Sequence, residues 1–257
     1  MSSKLSGKIS LITGASGEIG KAIAIEFAKE GAAGISLHFN RNKKNVKDTG
    51  VAVSKLGSKS VALQADISDP VQAKSLVTRT ISEFGRIDVL VCAAGHPFLK
   101  GDWFCEFENL TAEQFMNPIK VDLLGNAYVA QAAIRNMKRR RGGKIVLIGS
   151  TPAITGDSVG ITYLVAKAGL LALTRGLAQQ LGPHRINVNA LALGAISTRA
   201  TLRHLNSRQR ADLTREAALG RMGTPLEVAR KVVFLSCGDS DFVTGQVMVV
   251  DGGYAMR

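Results

Sequence analysis

Residues 9–20 read ISLITGASGEIG, and this stretch decides the fold. Ile9 to Thr13 is a short apolar run of strand length. Gly14, Gly17 and Gly20 follow at intervals of three. From Gly17 to Lys29 the residues Ile19, Ile23, Ile25 and Phe27 recur at mostly helical spacing, and Gly31 stops them. A strand is therefore joined to a helix by a turn built from glycine. Glycine there allows a tight turn and lets a ligand approach the backbone. The helix start beyond it offers N–H groups to a phosphate.

Strand and helix patterns alternate from this unit outward. Further strands are expected at Ile35–Phe39, Val61–Ala65, Ile87–Ala93, Lys144–Ile148, Ile186–Leu191 and Val247–Val250. Further helices are expected at Val46–Leu56, Val71–Phe84, Thr111–Arg139, Ile161–Leu181 and from Pro225 to about Ser236. Such alternation predicts an α/β fold: a single doubly wound parallel sheet of about seven strands, with helices on both faces. Ligands bind such sheets beyond the carboxyl ends of the strands, so chemistry is sought there.

The 257 residues suffice for one domain whose core buries about 72% of the extended chain's surface. Hydrophobic residues make up 46% and charged residues 21%, which excludes a disordered or fibrous chain. Cys92, Cys105 and Cys237 are too few and too scattered for a disulfide framework. No apolar centre of a signal peptide opens the chain, and no uninterrupted apolar run has the length of a membrane span. A cytoplasmic protein is expected. The net charge of +13 suits polyanionic partners or a solvated basic surface. Its one compact run, Lys138–Arg141, has no aromatic or zinc-finger motif beside it, so neither nucleic acid nor membrane is expected as a partner. His38, His96, His184 and His204 are not spaced as metal ligands and are read as surface or lid residues; no metal is expected.

Tyr163 and Lys167 lie four apart, on one face of a helix. An ammonium beside a phenol favours the phenolate, which lets the phenol exchange a proton near neutral pH. Ser150 ends the fifth strand, thirteen residues before Tyr163. After the second strand, residues 38–44 read HFNRNKK, with no carboxylate and three cations. A carboxylate there would bind ribose hydroxyls, whereas Arg41 suits a 2′-phosphate. Asp66, after the third strand, reads as the cap of a helix starting at Pro70, or in the role that the family resemblance named next implies for it, a contact to adenine.

Together these motifs resemble the short-chain dehydrogenase/reductase family, in its single-domain branch and over nearly the whole chain. The resemblance implies a Rossmann sheet and transfer of hydride between a nicotinamide and a ketone or secondary alcohol. It assigns Tyr163 as acid/base, Lys167 to Tyr163 and the ribose, and Ser150 to the carbonyl. Asp122 falls at the position of the proton-relay asparagine, whose main-chain carbonyl reaches the lysine through water. The cofactor contacts it implies are Gly14, Ser16, Gly17, Ile19, Gly20, Asn40, Arg41, Asp66, Ile67, Ala93, Ala94, Gly95, Tyr163, Lys167, Gly194, Ile196 and Thr198. NADP is expected as the preferred cofactor, with NAD as the alternative.

Five positions depart from the family pattern. Glu18 stands where the loop's middle glycine is expected, and residues 92–95 read CAAG instead of Asn-Asn-Ala-Gly. Leu193 replaces a proline, and Asp122 replaces the asparagine. Residues 198–223 are expected to cover the substrate and carry six arginines.

Within the family the chain is most similar to the 3-oxoacyl-acyl-carrier-protein reductases. That implies a thioester substrate on an acidic carrier, received near the active-site mouth by Arg141 and His184, with Arg185 beside the latter. The long helices and the C-terminal segment resemble those of a homotetramer. A sugar, polyol or other secondary-alcohol dehydrogenase, and a dinucleotide-binding protein without turnover, are the alternative readings.

Overall fold

The computed structural model describes residues 3–256. β1 (Ile9–Ile12) leads to α1 (Glu18–Lys29), β2 (Gly34–Phe39) to α2 (Lys43–Ser54), and β3 (Lys59–Gln64) to α3 (Pro70–Phe84). After β4 (Val89–Cys92) come a short α4 (Lys100–Trp103), α5 (Ala112–Pro118), a π-helical stretch (Ile119–Gly125) and α6 (Asn126–Arg140). β5 (Gly143–Ser150), a one-turn α7 (Pro152–Thr155), α8 (Ile161–Leu181) and β6 (Ile186–Leu193) follow. α9 (Arg199–His204), α10 (Ser207–Glu216), α11 (Pro225–Ser236) and β7 (Val247–Val250) complete the chain.

The seven strands form one parallel sheet in the order β3-β2-β1-β4-β5-β6-β7. The order reverses between β1 and β4, so their carboxyl ends open the crevice of a doubly wound sheet. Strand residues alternate between two apolar layers. Val89, Val91, Val146 and Ile148 face Phe27 of α1 and Val232 of α11. Leu90, Cys92, Ile145 and Leu147 face Leu76 of α3, Met137 of α6 and Leu170 of α8. This period of two explains why the central strands read as continuous apolar runs.

Two expectations are refined. β5 and β6 each run two residues further than their apolar cores suggest, which carries Ser150 and Leu193 to the sheet's carboxyl edge. The long helix expected at Thr111–Arg139 is divided. Pro118 lacks the N–H that would continue the ladder, and the next turns widen to π geometry. α8, extended to His184, has the length and mean hydropathy (1.3) of a membrane span, although no uninterrupted apolar run suggested one. Here it lies against β5 and β6, with Leu170, Leu171 and Leu181 in the core.

A threonine closes the crevice floor. Thr13 is fully buried, and its hydroxyl accepts the N–H groups of Ala93 (2.9 Å) and Ala94 (3.0 Å). The same hydroxyl donates to the Val91 carbonyl at 3.4 Å. Thr13→Val keeps the shape but strands two N–H groups, a loss of roughly 1–3 kcal/mol. A thermal melt should show a fall of roughly 2–4 °C for each kcal/mol lost.

Candidate active site

The glycine loop ends β1 where β2 and β3 also end. Gly14 has φ +70, and a Cβ there would meet the Ala93 carbonyl at 2.8 Å. A Cβ on Gly20 would meet the Gly14 carbonyl at 2.4 Å. Both positions require glycine. Gly17 caps α1 without a side chain, so the first-turn N–H groups of Glu18, Ile19 and Gly20 have no protein acceptor among the described residues. An anion, such as the pyrophosphate of a dinucleotide, fits that cradle.

His38 props the loop from behind. It is buried, accepts the Gly14 N–H on Nδ1 (3.1 Å) and faces the Ala65 carbonyl with Nε2 (3.0 Å). Burial holds its pKa below the ordinary value, against the opposing pull of that carbonyl and of Asp66. The expectation of a surface or lid histidine is corrected here; His204 does line the cavity rim.

Glu18 points across the crevice to the start of α9. Its carboxylate accepts the Arg199 backbone N–H and lies 2.6 Å from Arg199 Nε. Burial pushes the Glu18 carboxyl up, but Arg199's hydrogen bonds and charge outweigh it and hold it below the usual range. The carboxylate in the glycine loop is thus compensated by the start of α9.

The catalytic candidates converge on a cavity of about 1040 Å³ at the carboxyl edge. Ser150, Tyr163, Lys167 and Asp122 all line it. So do the candidate cofactor residues Gly14, Ser16, Gly17, Ile19, Gly20, Ala93, Gly95, Gly194, Ile196 and Thr198. Among the described residues, no protein group bonds the Ser150 or Tyr163 hydroxyl. The Lys167 Nζ lies 5.5 Å from the Tyr163 ring centre.

Lys167 is buried and donates to Asp122 Oδ1 (2.8 Å) and the Ile148 carbonyl (2.9 Å). Burial alone would lower its pKa; the charges of Asp122 and Tyr163 overcome that and hold it above the ordinary value. The π stretch carries Asp122 inward, where it is 1% exposed. Asp122 Oδ2 accepts the His96 N–H at 2.7 Å. The Asp122 main-chain carbonyl, expected to serve the relay, accepts from Asn126 Nδ2 at 2.8 Å. Asp122 also reaches the lysine directly through its side chain. Burial pushes the neighbouring Cys92 thiol to about 12, with Lys167 pulling the other way, so it remains protonated.

Five expected cofactor residues lie outside the cavity. Asn40 and Arg41 are exposed at the end of β2. They remain beside the glycine loop, to which Asn45 Nδ2 ties α2 through the Ser16 carbonyl (3.3 Å). Asp66 binds the N–H and hydroxyl of Ser68, while Asp69 caps α3; Asp66 is not the helix cap. The Ile67 side chain is buried, close to Gly125. Ala94 is held by Thr13 and by Asn126 Nδ2, at 3.0 and 3.1 Å. Thr198 does line the cavity, but its hydroxyl caps α9.

Arg141, His184 and Arg185 are not at the mouth of this chain's site. They precede β5 and β6 at the amino edge of the sheet, where Arg141 and Arg185 line a separate cavity of about 640 Å³ together with Lys8 and Lys144.

Sequence reading missed Thr13 and Asn126, which replace the absent asparagines after β4. The place of Asn126 four residues beyond Asp122 was its available signal. It also missed Trp103, which stands over Tyr163, and Phe98 beside it, in an aromatic-rich stretch after β4.

A family model described as enoyl-(acyl carrier protein) reductase matches residues 14–255. The chain belongs to the short-chain dehydrogenase/reductase family. This family uses nicotinamide dinucleotides, and the chain is an oxidoreductase of it. A 3-oxoacyl-[acyl-carrier-protein] reductase of Thermotoga maritima is 35% identical over 250 residues, covering 97% of this chain and 98% of that protein. An L-rhamnose 1-dehydrogenase (NAD(P)(+)) of a Sphingomonas species is 32% identical, covering 97% and 96%. A Serratia marcescens short-chain dehydrogenase/reductase mutant superposes with a TM-score of 0.90 at 29% identity, covering 98% and 100%. The relatives share a frame, not a substrate.

Asp122→Ala leaves the buried ammonium without its counter-charge. Loss of one partner of a buried pair costs about 3–5 kcal/mol, so denaturant unfolding should show a fall of that order. Asp122→Asn retains hydrogen-bonding capacity and should lose less.

Proposed function

We propose that this chain is an NADP-dependent reductase of ketones, with 3-oxoacyl thioesters as its natural substrates. The observation that carries the reading is the convergence of Ser150, Tyr163 and Lys167 on the cavity that also contains the glycine loop. The thioester part rests on relatives named for it, including those of Thermotoga maritima and Escherichia coli. Assembly as a cytoplasmic homotetramer belongs to the same proposal. Val165 on α8, Phe242, and Val249 on β7 are exposed apolar side chains that an assembly would cover.

The chain's residues have separable tasks. The N–H groups at the start of α1 would hold the pyrophosphate, and Arg41 the 2′-phosphate. Phe39 is buried where an NAD-selecting carboxylate would stand, and Arg41, Lys43 and Lys44 are exposed beyond it. When bound, the nicotinamide supplies the hydride. Ser150 donates a hydrogen bond to the substrate carbonyl and orients it. Tyr163 gives its hydroxyl proton to the carbonyl oxygen as that oxygen becomes an alcohol. Lys167 keeps positive charge beneath the tyrosine, and its third N–H is left for a ribose hydroxyl. Glu18 and Asp122 motivated a reading without turnover. Each has a cationic partner, which removes that motive.

The test is NADPH oxidation with a 3-oxoacyl thioester. Tyr163→Phe should reduce kcat by about 10²–10⁴ while NADPH still binds. Near-normal turnover would refute the assignment. Arg41→Ala should weaken NADPH by about 10- to 150-fold, from the roughly 1.5–3 kcal/mol of a charge-assisted contact, with NADH little affected. Equal losses for the two coenzymes would count against NADP.

A further inference from the structure

The wall over Tyr163 is aromatic. Trp103 is the chain's only tryptophan, and its ring centre lies 5.3 Å from that of Tyr163. Phe98 stands 5.1 Å from Trp103 and 6.5 Å, edge-on, from Phe104. On the opposite side Phe98 meets His204 of α9 at 4.8 Å, so the wall joins the segment after β4 to the segment that covers the site. All four side chains line the cavity.

Trp103 is held in place rather than loosely draped. Its carbonyl accepts the Gly160 N–H at 2.8 Å. Gly160 has φ +64, and a Cβ there would lie 3.0 Å from the indole ring. The turn before α8 thus uses glycine where the indole seats, and the tryptophan is fixed by the helix that carries the catalytic tyrosine. A ligand hydroxyl against these ring faces would give up water without gaining an equal partner. An apolar surface loses nothing there and gains stacking.

From this we infer that the carbonyl of the substrate is borne on an apolar body, seated against Phe98, Trp103 and Phe104, and that Trp103 is a specificity-determining residue for it. A body that turns hydroxyls toward these rings is disfavoured. The inference rests on the reductase reading for the site, and it deepens that reading by naming the substrate's chemical class. It is compatible with an acyl chain and with a ring.

Trp103 supplies its own reporter, because all tryptophan fluorescence of the chain comes from this wall. The binding arm uses Tyr163→Phe without cofactor, titrated with the bicyclic ketone 2-tetralone. Saturable change in tryptophan emission is expected, with no saturable change from an aldohexose. No saturation by the tetralone, or tighter binding of the sugar, would overturn the inference. This arm needs no turnover, so its outcome is independent of whether the chain reduces ketones with NADPH. The kinetic arm compares kcat/KM for 2-tetralone with that for 2-butanone. Trp103→Ala should lower the ratio roughly 10-fold, and Trp103→Phe should restore most of it. NADPH binding by each variant checks that it is folded. An unchanged or raised ratio in folded Trp103→Ala would overturn the role of Trp103.

Discussion

The buried ammonium of Lys167 is the constraint on which the rest of the site depends. A cation at that depth is tolerated only when paired and hydrogen-bonded. Its acceptors come from two other elements, the Asp122 carboxylate on the π stretch and the Ile148 carbonyl on β5. A third element joins through the His96 N–H, which donates to the same carboxylate. Gly95 must lack a side chain for this packing, since a Cβ would fall 2.9 Å from Asp122 Oδ1. The contacts that stabilise the carboxyl edge of the sheet are therefore the ones that present Tyr163 to the cavity.

Much of this was legible in the sequence, for reasons that differ by feature. The apolar runs and helical spacings report burial, and burial is what organises the sheet. Ser150, Tyr163 and Lys167 were legible because one strand end and one helix turn place them. The side-chain role of Asp122 was not, because it depends on a widening of the helix that Pro118 provokes. Thr13 and Asn126 were hidden for another reason: they serve a loop that neither of them belongs to. The position of Arg141 was readable and misread. A residue just before a parallel strand lies at the amino edge, whatever motif it resembles.

Charge is distributed with the same logic. The chain carries +13, yet Glu18 in the glycine loop and Asp122 beside Lys167 are each neutralised locally. Glu18 with Arg199 links the glycine loop to α9, so the two sides of the cavity meet through an ion pair as well as through Phe98 and His204.

The imidazole behind the glycine loop makes that loop responsive to protons. His38 can accept the Gly14 N–H only while Nδ1 carries no hydrogen. Protonation would set donor against donor inside the core. Because burial lowers the pKa in the folded state, the unfolded chain binds the proton more readily. The stability that this strut contributes is complete above the ordinary histidine value of about 6.5. It is lost progressively as pH falls below that value toward the folded-state one. Acidification thus works against the glycine loop through a residue set behind it.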